Sequence, residues 1–160
     1  MIDINARVIY SLTAWLPTSN KENQVHPLSA REWSDVAKKI YKADIKPKDI
    51  RSKSQDEITS ILGLEPKLSE RIVKLLNRSG QVVFELEKYR TRGYELFTGA
   101  DSDYPKKLKE TMLKNRPPFF WYVGDIKILI RDNYRIKDLQ PVDMFPHTPH
   151  IECVATLILN

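Results

Sequence analysis

The sequence predicts an α+β fold: an N-terminal bundle of about five helices, then a small sheet of two to four strands with one helix packed on it. Three observations carry this. Before Gly93 the apolar residues recur at helical spacing in five successive segments, marked off by capping-box signatures and by proline or glycine. After Gly93, short alternating or aromatic runs take over, bounded by turn residues. Hydrophobic residues make up 41% of the 160 and charged ones 29%, enough to fill a core and too apolar for a disordered chain.

In the first segment Ile2, Ala6, Ile9 and Leu16 fall at near-helical intervals with Leu12 between, ahead of Pro17 and a polar run to Gln24. This reads as an amphipathic helix followed by a loop. Ser29-Ala-Arg-Glu32 has the capping-box form, and Trp33, Val36, Ala37 and Ile40 continue a second helix to about Lys42. Residues 46–53 read as a connector. Ser54-Gln-Asp-Glu57 offers another capping box before Ile58, Ile61 and Leu62, and Gly63 ends that third helix. Pro66 suits a first helical turn, after which Leu68, Ile72, Leu75 and Leu76 line a fourth helix as far as Asn77-Arg-Ser-Gly80. From Gln81, the residues Val82, Val83, Leu86 and Tyr89 keep the helical period to Arg92, with Gly93 as the expected C-terminal cap.

Tyr94 to Thr98 alternates and reads as a short strand, and Gly99 to Asp103 as a turn. Tyr104 to Asn115 is helical in pattern and stops at Pro117-Pro118. Phe119 to Val123 is a second strand, ended by Gly124-Asp125. Residues 134–143 alternate in part, 144–149 read as a loop, and Ile151 to Leu159 is an apolar run of strand length. That run could add beside Phe119 to Val123 or Tyr94 to Thr98 and cover a sheet edge; otherwise it would lie exposed. The chain thus divides into a helical region, 1–93, a small α/β element, 94–129, and a terminal strand segment, 130–160.

The formal charge of +5 is uneven: residues 130–160 hold 3 basic and 4 acidic side chains, so the surplus lies ahead of them. Such a surplus suits phosphate contact and also serves solubility. A single cysteine, Cys153, excludes an intramolecular disulfide and an all-cysteine zinc site, as expected in a reducing cytoplasm. No apolar run approaches the roughly 18 residues of a membrane span, and the first residues lack a leader pattern. The expectation is a cytoplasmic protein without membrane contact.

Two clusters hold chemistry-bearing residues. His147, His150, Glu152 and Cys153 fall within seven residues, yet Pro149 stiffens the loop, and adjacent strand residues face opposite sides of a sheet. Packing accounts for them better than metal binding, and no metal is expected. Lys106, Lys107, Lys109, Lys114 and Arg116 precede Phe119, Phe120, Trp121 and Tyr122, and cations beside aromatics suit single-stranded nucleic acid. The competing account makes the lysines a solvated helix face and one alternate pair of aromatics core. With five glycines and no phosphate-cradling loop motif, nucleotide-dependent chemistry is not expected.

Two stretches resemble bacterial families. Leu75-Leu76, Glu85-Leu86-Glu87, Gly93, Asp101-Ser-Asp-Tyr104-Pro105-Lys-Lys-Leu108 and Arg116-Pro-Pro-Phe-Phe-Trp-Tyr-Val-Gly124-Asp125 together resemble the region ahead of the Rossmann core in the DNA-processing (DprA/Smf) family of natural transformation. That resemblance implies a module working with single-stranded DNA and a recombinase, with Lys106, Lys107, Lys109, Lys114 and Arg116 as nucleic-acid contacts. The Rossmann core itself does not follow Asp125. Tyr134-Arg-Ile, then Val142-Asp-Met-Phe-Pro-His-Thr-Pro-His150-Ile-Glu152-Cys-Val154, is similar to the extreme C-terminus of the RNA uracil-5 methyltransferases acting on 23S rRNA or tRNA. There the matching glutamate, Glu152, is implied as the base that removes the C5 proton, an earlier cysteine attacks C6, and S-adenosylmethionine supplies the methyl group. The nucleophile motif and cofactor strands would lie upstream of residue 134 and are not found there; Cys153 does not match the nucleophile.

The chain therefore reads as the front of a DNA-processing protein joined near residues 128–133 to the last strands of a methyltransferase, by fusion or truncation. The first expectation for function is a non-enzymatic DNA-processing module that binds single-stranded DNA without a cofactor. The alternatives are a relic of an RNA methyltransferase C-terminus, using S-adenosylmethionine only if completed, and an inactive product with a protein-docking helical region.

Overall fold

The computed structural model describes residues 2–16, 24–102, 104, 110, 116–125, 134–142 and 152–159. They fall into two compact units, Met1–Val123 and Gly124–Asn160.

In the first unit five helices precede a two-stranded sheet: α1 (Ile4–Thr13), α2 (Ala30–Lys42), α3 (Gln55–Leu62), α4 (Pro66–Leu76) and α5 (Ser79–Arg90), then β1 (Glu95–Thr98) and β2 (Phe119–Tyr122). The α+β expectation holds. Both capping boxes form: Ser29 accepts from the Glu32 amide and Glu32 from the Ser29 amide, and Ser54 and Glu57 repeat the arrangement at α3. Each satisfies two of the amides that every helix start leaves without an intrahelical partner. Gly63 ends α3 in the left-handed region, φ 55°, and Lys39 Nζ donates to the carbonyls of Leu62 and Gly63 at 3.1 and 2.6 Å. A cation there meets the negative end of the helix dipole. The connector ahead of α3 contains a 3-10 turn at Pro47–Ile50, which buries Ile50.

One expectation needs correction. The last helix begins at Ser79, taking in Gly80, and it ends at Arg90 with Thr91 as the cap, still in the right-handed helical region. Gly93 does adopt φ 82°, but in the turn beyond: its amide bonds to the Arg90 carbonyl. The first helix forms as expected, and it buries more of its surface than the apolar spacing alone marks. Val8, Ile9 and Leu12 enter a core with Trp33, Val36, Ile40, Ile50, Ile58, Ile72 and Leu75, while Tyr10 and Ala14 enter a second with Leu16, Val82 and Leu86. A helix flanked by two cores is buried nearly all round. Each fully buried aliphatic side chain in such a core contributes about 1.5–3 kcal/mol.

β1 and β2 pair antiparallel, Glu95 opposite Tyr122 through Thr98 opposite Phe119. Leu96, Phe119 and Trp121 pack against the second core. The turn after β1 is held by Asp101, whose carboxylate accepts from the Thr98 amide and hydroxyl at 2.7 and 2.9 Å. The helix expected over 104–115 lies largely outside the described residues.

The second unit contains β3 (Tyr134–Val142) and β4 (Glu152–Leu159), paired antiparallel with each other. The sequence left open whether the terminal run would add beside β1 or β2; the structure pairs it with β3 in a two-stranded sheet. Alternation in 134–143 provides a sequence-adjacent partner, and antiparallel neighbours need only a short connection. The register slips between Ile136 and Asp138, so Lys137 sits as an unpaired bulge residue and is exposed. Pro141, opposite Cys153, has no amide to give, which a two-stranded sheet tolerates because each strand is an edge. No helix among the described residues is long and apolar enough to cross a membrane.

Candidate functional site

Of the five basic residues singled out by the sequence, Lys106, Lys107, Lys109 and Lys114 lie outside the described residues. Arg116 is half-buried at the bend before β2. It lies near Tyr104, whose hydroxyl donates to the Pro117 carbonyl at 3.0 Å. Burial pushes the Tyr104 hydroxyl pKa up, and the Arg116 charge offsets part of that rise.

The aromatic run that follows is engaged within the protein on both faces of the strand. Phe119 and Trp121 meet the Tyr10 ring at centroid distances of 4.9 and 5.7 Å, and Trp121 lies 4.7 Å from Tyr89. Phe120 meets Phe97 at 5.3 Å and Tyr104 at 6.0 Å, and Tyr122 donates its hydroxyl to Glu95 at 2.7 Å. The packing expected of one alternate pair applies to both. A base would have to displace these ring contacts, each worth about 0.5–1.5 kcal/mol beyond area burial, before it could stack.

Glu152 is the first residue of β4, opposite Val142, and Cys153 follows it opposite Pro141. The register thus sets the glutamate at the end of the hairpin from which the 143–151 connection departs. His147 and His150 lie outside the described residues. Among the described residues no three His, Cys, Asp or Glu side chains converge as metal ligands.

Two clefts in the first unit were not legible from sequence. One is small, walled by Ile4, Val8, Val82 and Val83 with Arg7 and Arg51 at its edge. The other, of about 280 Å³, is lined by Leu16, Gln24, Val25, Lys74, Asn77, Arg78 and Gln81. Arg78 there turns its Nη2 to the last turn of α1, donating to the carbonyls of Ser11 at 2.5 Å and Ala14 at 2.8 Å. Its Nε is buried without a hydrogen-bond partner. Burial lowers the guanidinium pKa to about 10, against a favourable pull from Tyr10, so the group stays charged at neutral pH. In the sequence, Arg78 reads as part of a helix stop, and no local pattern marks a cation that reaches back 64 residues.

Comparison with known proteins finds RNA methyltransferases. An uncharacterized RNA methyltransferase of Bacillus cereus (strain ATCC 14579) is 40% identical over 70 residues, covering 36% of this chain and 15% of that protein. One from Listeria monocytogenes serotype 4b is 46% identical over 63 residues, covering 34% of this chain and 14% of its own length. One from Oceanobacillus iheyensis is 29% identical over 141 residues, covering 78% of this chain and 28% of that protein. Each match is longer than Gly124–Asn160, so each takes in residues ahead of that unit. None of these three is a DNA-processing protein, and the DNA-processing resemblance gains no support from them. No family model and no solved structure matches. The chain spans less than a third of the length of these relatives, and it is to RNA methyltransferases that it is similar.

Proposed function

We propose that this chain is an RNA methyltransferase relic: its β3–β4 hairpin corresponds to the C-terminal strands of an RNA uracil-5 methyltransferase, and Glu152 stands where the proton-removing base belongs. The observation that carries the reading is the similarity to RNA methyltransferases, joined to a glutamate at the start of a paired terminal strand. A general base must be held within hydrogen-bond reach of the proton it takes, and a paired strand fixes the backbone that carries Glu152.

The larger described cleft does not suit S-adenosylmethionine. That cofactor carries a sulfonium cation and an ammonium group, and the described residues lining this cleft include two cations and no carboxylate. The described residues of Met1–Val123 form five helices and a two-stranded sheet, and the nucleophile motif that the uracil-5 methyltransferase resemblance calls for is not found in the sequence ahead of residue 134. No methyl-transfer step is assigned to this chain alone.

The reading is tested on the purified chain by calorimetric titration with S-adenosylmethionine and by transfer of labelled methyl groups to uridine-containing RNA. Neither binding nor transfer is expected. Saturable cofactor binding, or transfer that Glu152→Gln abolishes, would overturn the assignment as a relic and make the chain an enzyme.

A further inference from the structure

We propose that the cleft between Lys74 and Arg78 binds a phosphate oxyanion. Lys74 and Arg78 both line it, four residues apart across the end of α4, with Asn77, Gln81 and Gln24 adding amide groups, Gln24 already donating to the Leu16 carbonyl at 3.0 Å, and no carboxylate among the described lining residues. Its volume of about 280 Å³ approaches the lower bound of ordinary ligand sites, roughly 300 Å³.

Arg78 supplies the strongest argument. A half-buried cation is ordinarily matched by a carboxylate, because desolvation costs several kcal/mol unless a counter-charge or a full set of hydrogen bonds offsets it. Among the described residues Arg78 has no carboxylate partner: the Ser11 and Ala14 carbonyls accept from it, Tyr10 lies near enough to favour its charge, and its Nε donor is buried with no acceptor. An unsatisfied buried donor calls for an unseen water or ion. The two carbonyl bonds also fix the guanidinium plane, so little further ordering is needed on binding. Nη2 spends both hydrogens on these carbonyls, so Nη1 and the unsatisfied Nε are the donors left for an anion.

Lys74 is less committed. Its 2.6 Å pair with Glu70 joins two side chains that are 57% and 50% exposed, a pair of small worth that can yield to a phosphate. The net charge of +5 favours the approach of anions in general. This site does not depend on the methyltransferase reading, since it lies wholly in the helical unit.

The test uses the isotope-labelled full chain, titrated in parallel with inorganic phosphate and with a short single-stranded uridine RNA, following amide and side-chain NMR signals. Saturable shifts confined to Gln24, Lys74, Asn77, Arg78 and Gln81 are expected with both. Arg78→Ala removes the bonds to α1 and can unfold the chain, so the informative variant is Lys74→Ala, expected to weaken phosphate binding about two- to fivefold, the effect of one partly screened charge. RNA binding tighter than phosphate identifies a nucleic-acid backbone as the source; equal or weaker RNA binding identifies free phosphate. Absence of shifts with either probe, or shifts that Lys74→Ala leaves unchanged, overturns the site.

Discussion

Ser11 donates its hydroxyl to the carbonyl of Leu75 at 2.6 Å, tying the buried face of α1 to the last turn of α4. The final carbonyls of any helix lack intrahelical partners, and a buried one must find a donor elsewhere. Ser11 is that donor, and it is itself buried. Ser11→Ala removes the donor and leaves the carbonyl dry, so a loss of about 1–3 kcal/mol is expected. Thr13→Ala is the control: the Thr13 hydroxyl bonds back to Ile9 within its own helix, and its loss is expected to cost less than about 0.5 kcal/mol. Urea unfolding of the two variants checks the contrast, and equal losses would contradict it.

Ile72 is fully buried at the centre of the larger core, among side chains from α1, α2 and α3. Ile72→Ala is expected to destabilise by about 2–5 kcal/mol, combining lost burial with a cavity that the close-packed neighbours fill only in part. Phe84, on α5, is 70% exposed, and Phe84→Ala is expected to change stability by less than about 0.5 kcal/mol. Thermal unfolding of both variants tests which apolar residues form the core.

The Glu32 carboxyl is pushed up by burial, but hydrogen bonds from Ser29 and Arg71 and the Arg71 charge together hold it below its ordinary value of 4.5. A carboxyl whose folded pKa is depressed adds stability that is fully present above its unfolded value and is lost as pH falls through the folded one. Stability is therefore expected to fall below about pH 4.5, with Glu32 contributing at most about 1 kcal/mol because the pair is partly exposed. Asp3, Glu57 and Glu70 are shifted the same way and add to the trend. Glu32→Gln is expected to flatten part of the decline in denaturation midpoint between neutral pH and about pH 3; an unchanged slope would contradict it.

The legible parts of this molecule are those set by neighbours in sequence. Ser29 with Glu32 and Ser54 with Glu57 announce α2 and α3 because a capping box closes within four residues. Gly63 stops α3 for an equally local reason, its positive φ. What the pattern missed was set at long range. α1 reads as amphipathic because nothing near it in sequence reveals the second core supplied by Val82 and Leu86. The pairing of β4 with β3 depended on which of several edges the apolar run would meet, and periodicity alone does not rank edges. Arg78 was invisible as a site residue because its partners, Ser11 and Ala14, lie more than sixty residues away. Glu152 was named as a base only through resemblance; its spacing placed it in the His147, His150 and Cys153 cluster, which packing accounts for better than chemistry.

The most direct test of the methyltransferase reading transplants residues 134–159 onto the Oceanobacillus iheyensis relative, replacing its extreme C-terminal segment. RNA methylation is then measured for the chimera and for its Glu152→Gln variant, with S-adenosylmethionine binding showing that each is folded. The account predicts a chimera within about tenfold of the parent's rate and a Glu152→Gln variant reduced by about 10²–10⁴, the usual worth of a positioned general base. A folded chimera that transfers no methyl group, or one that works equally well with Glu152→Gln, would contradict it.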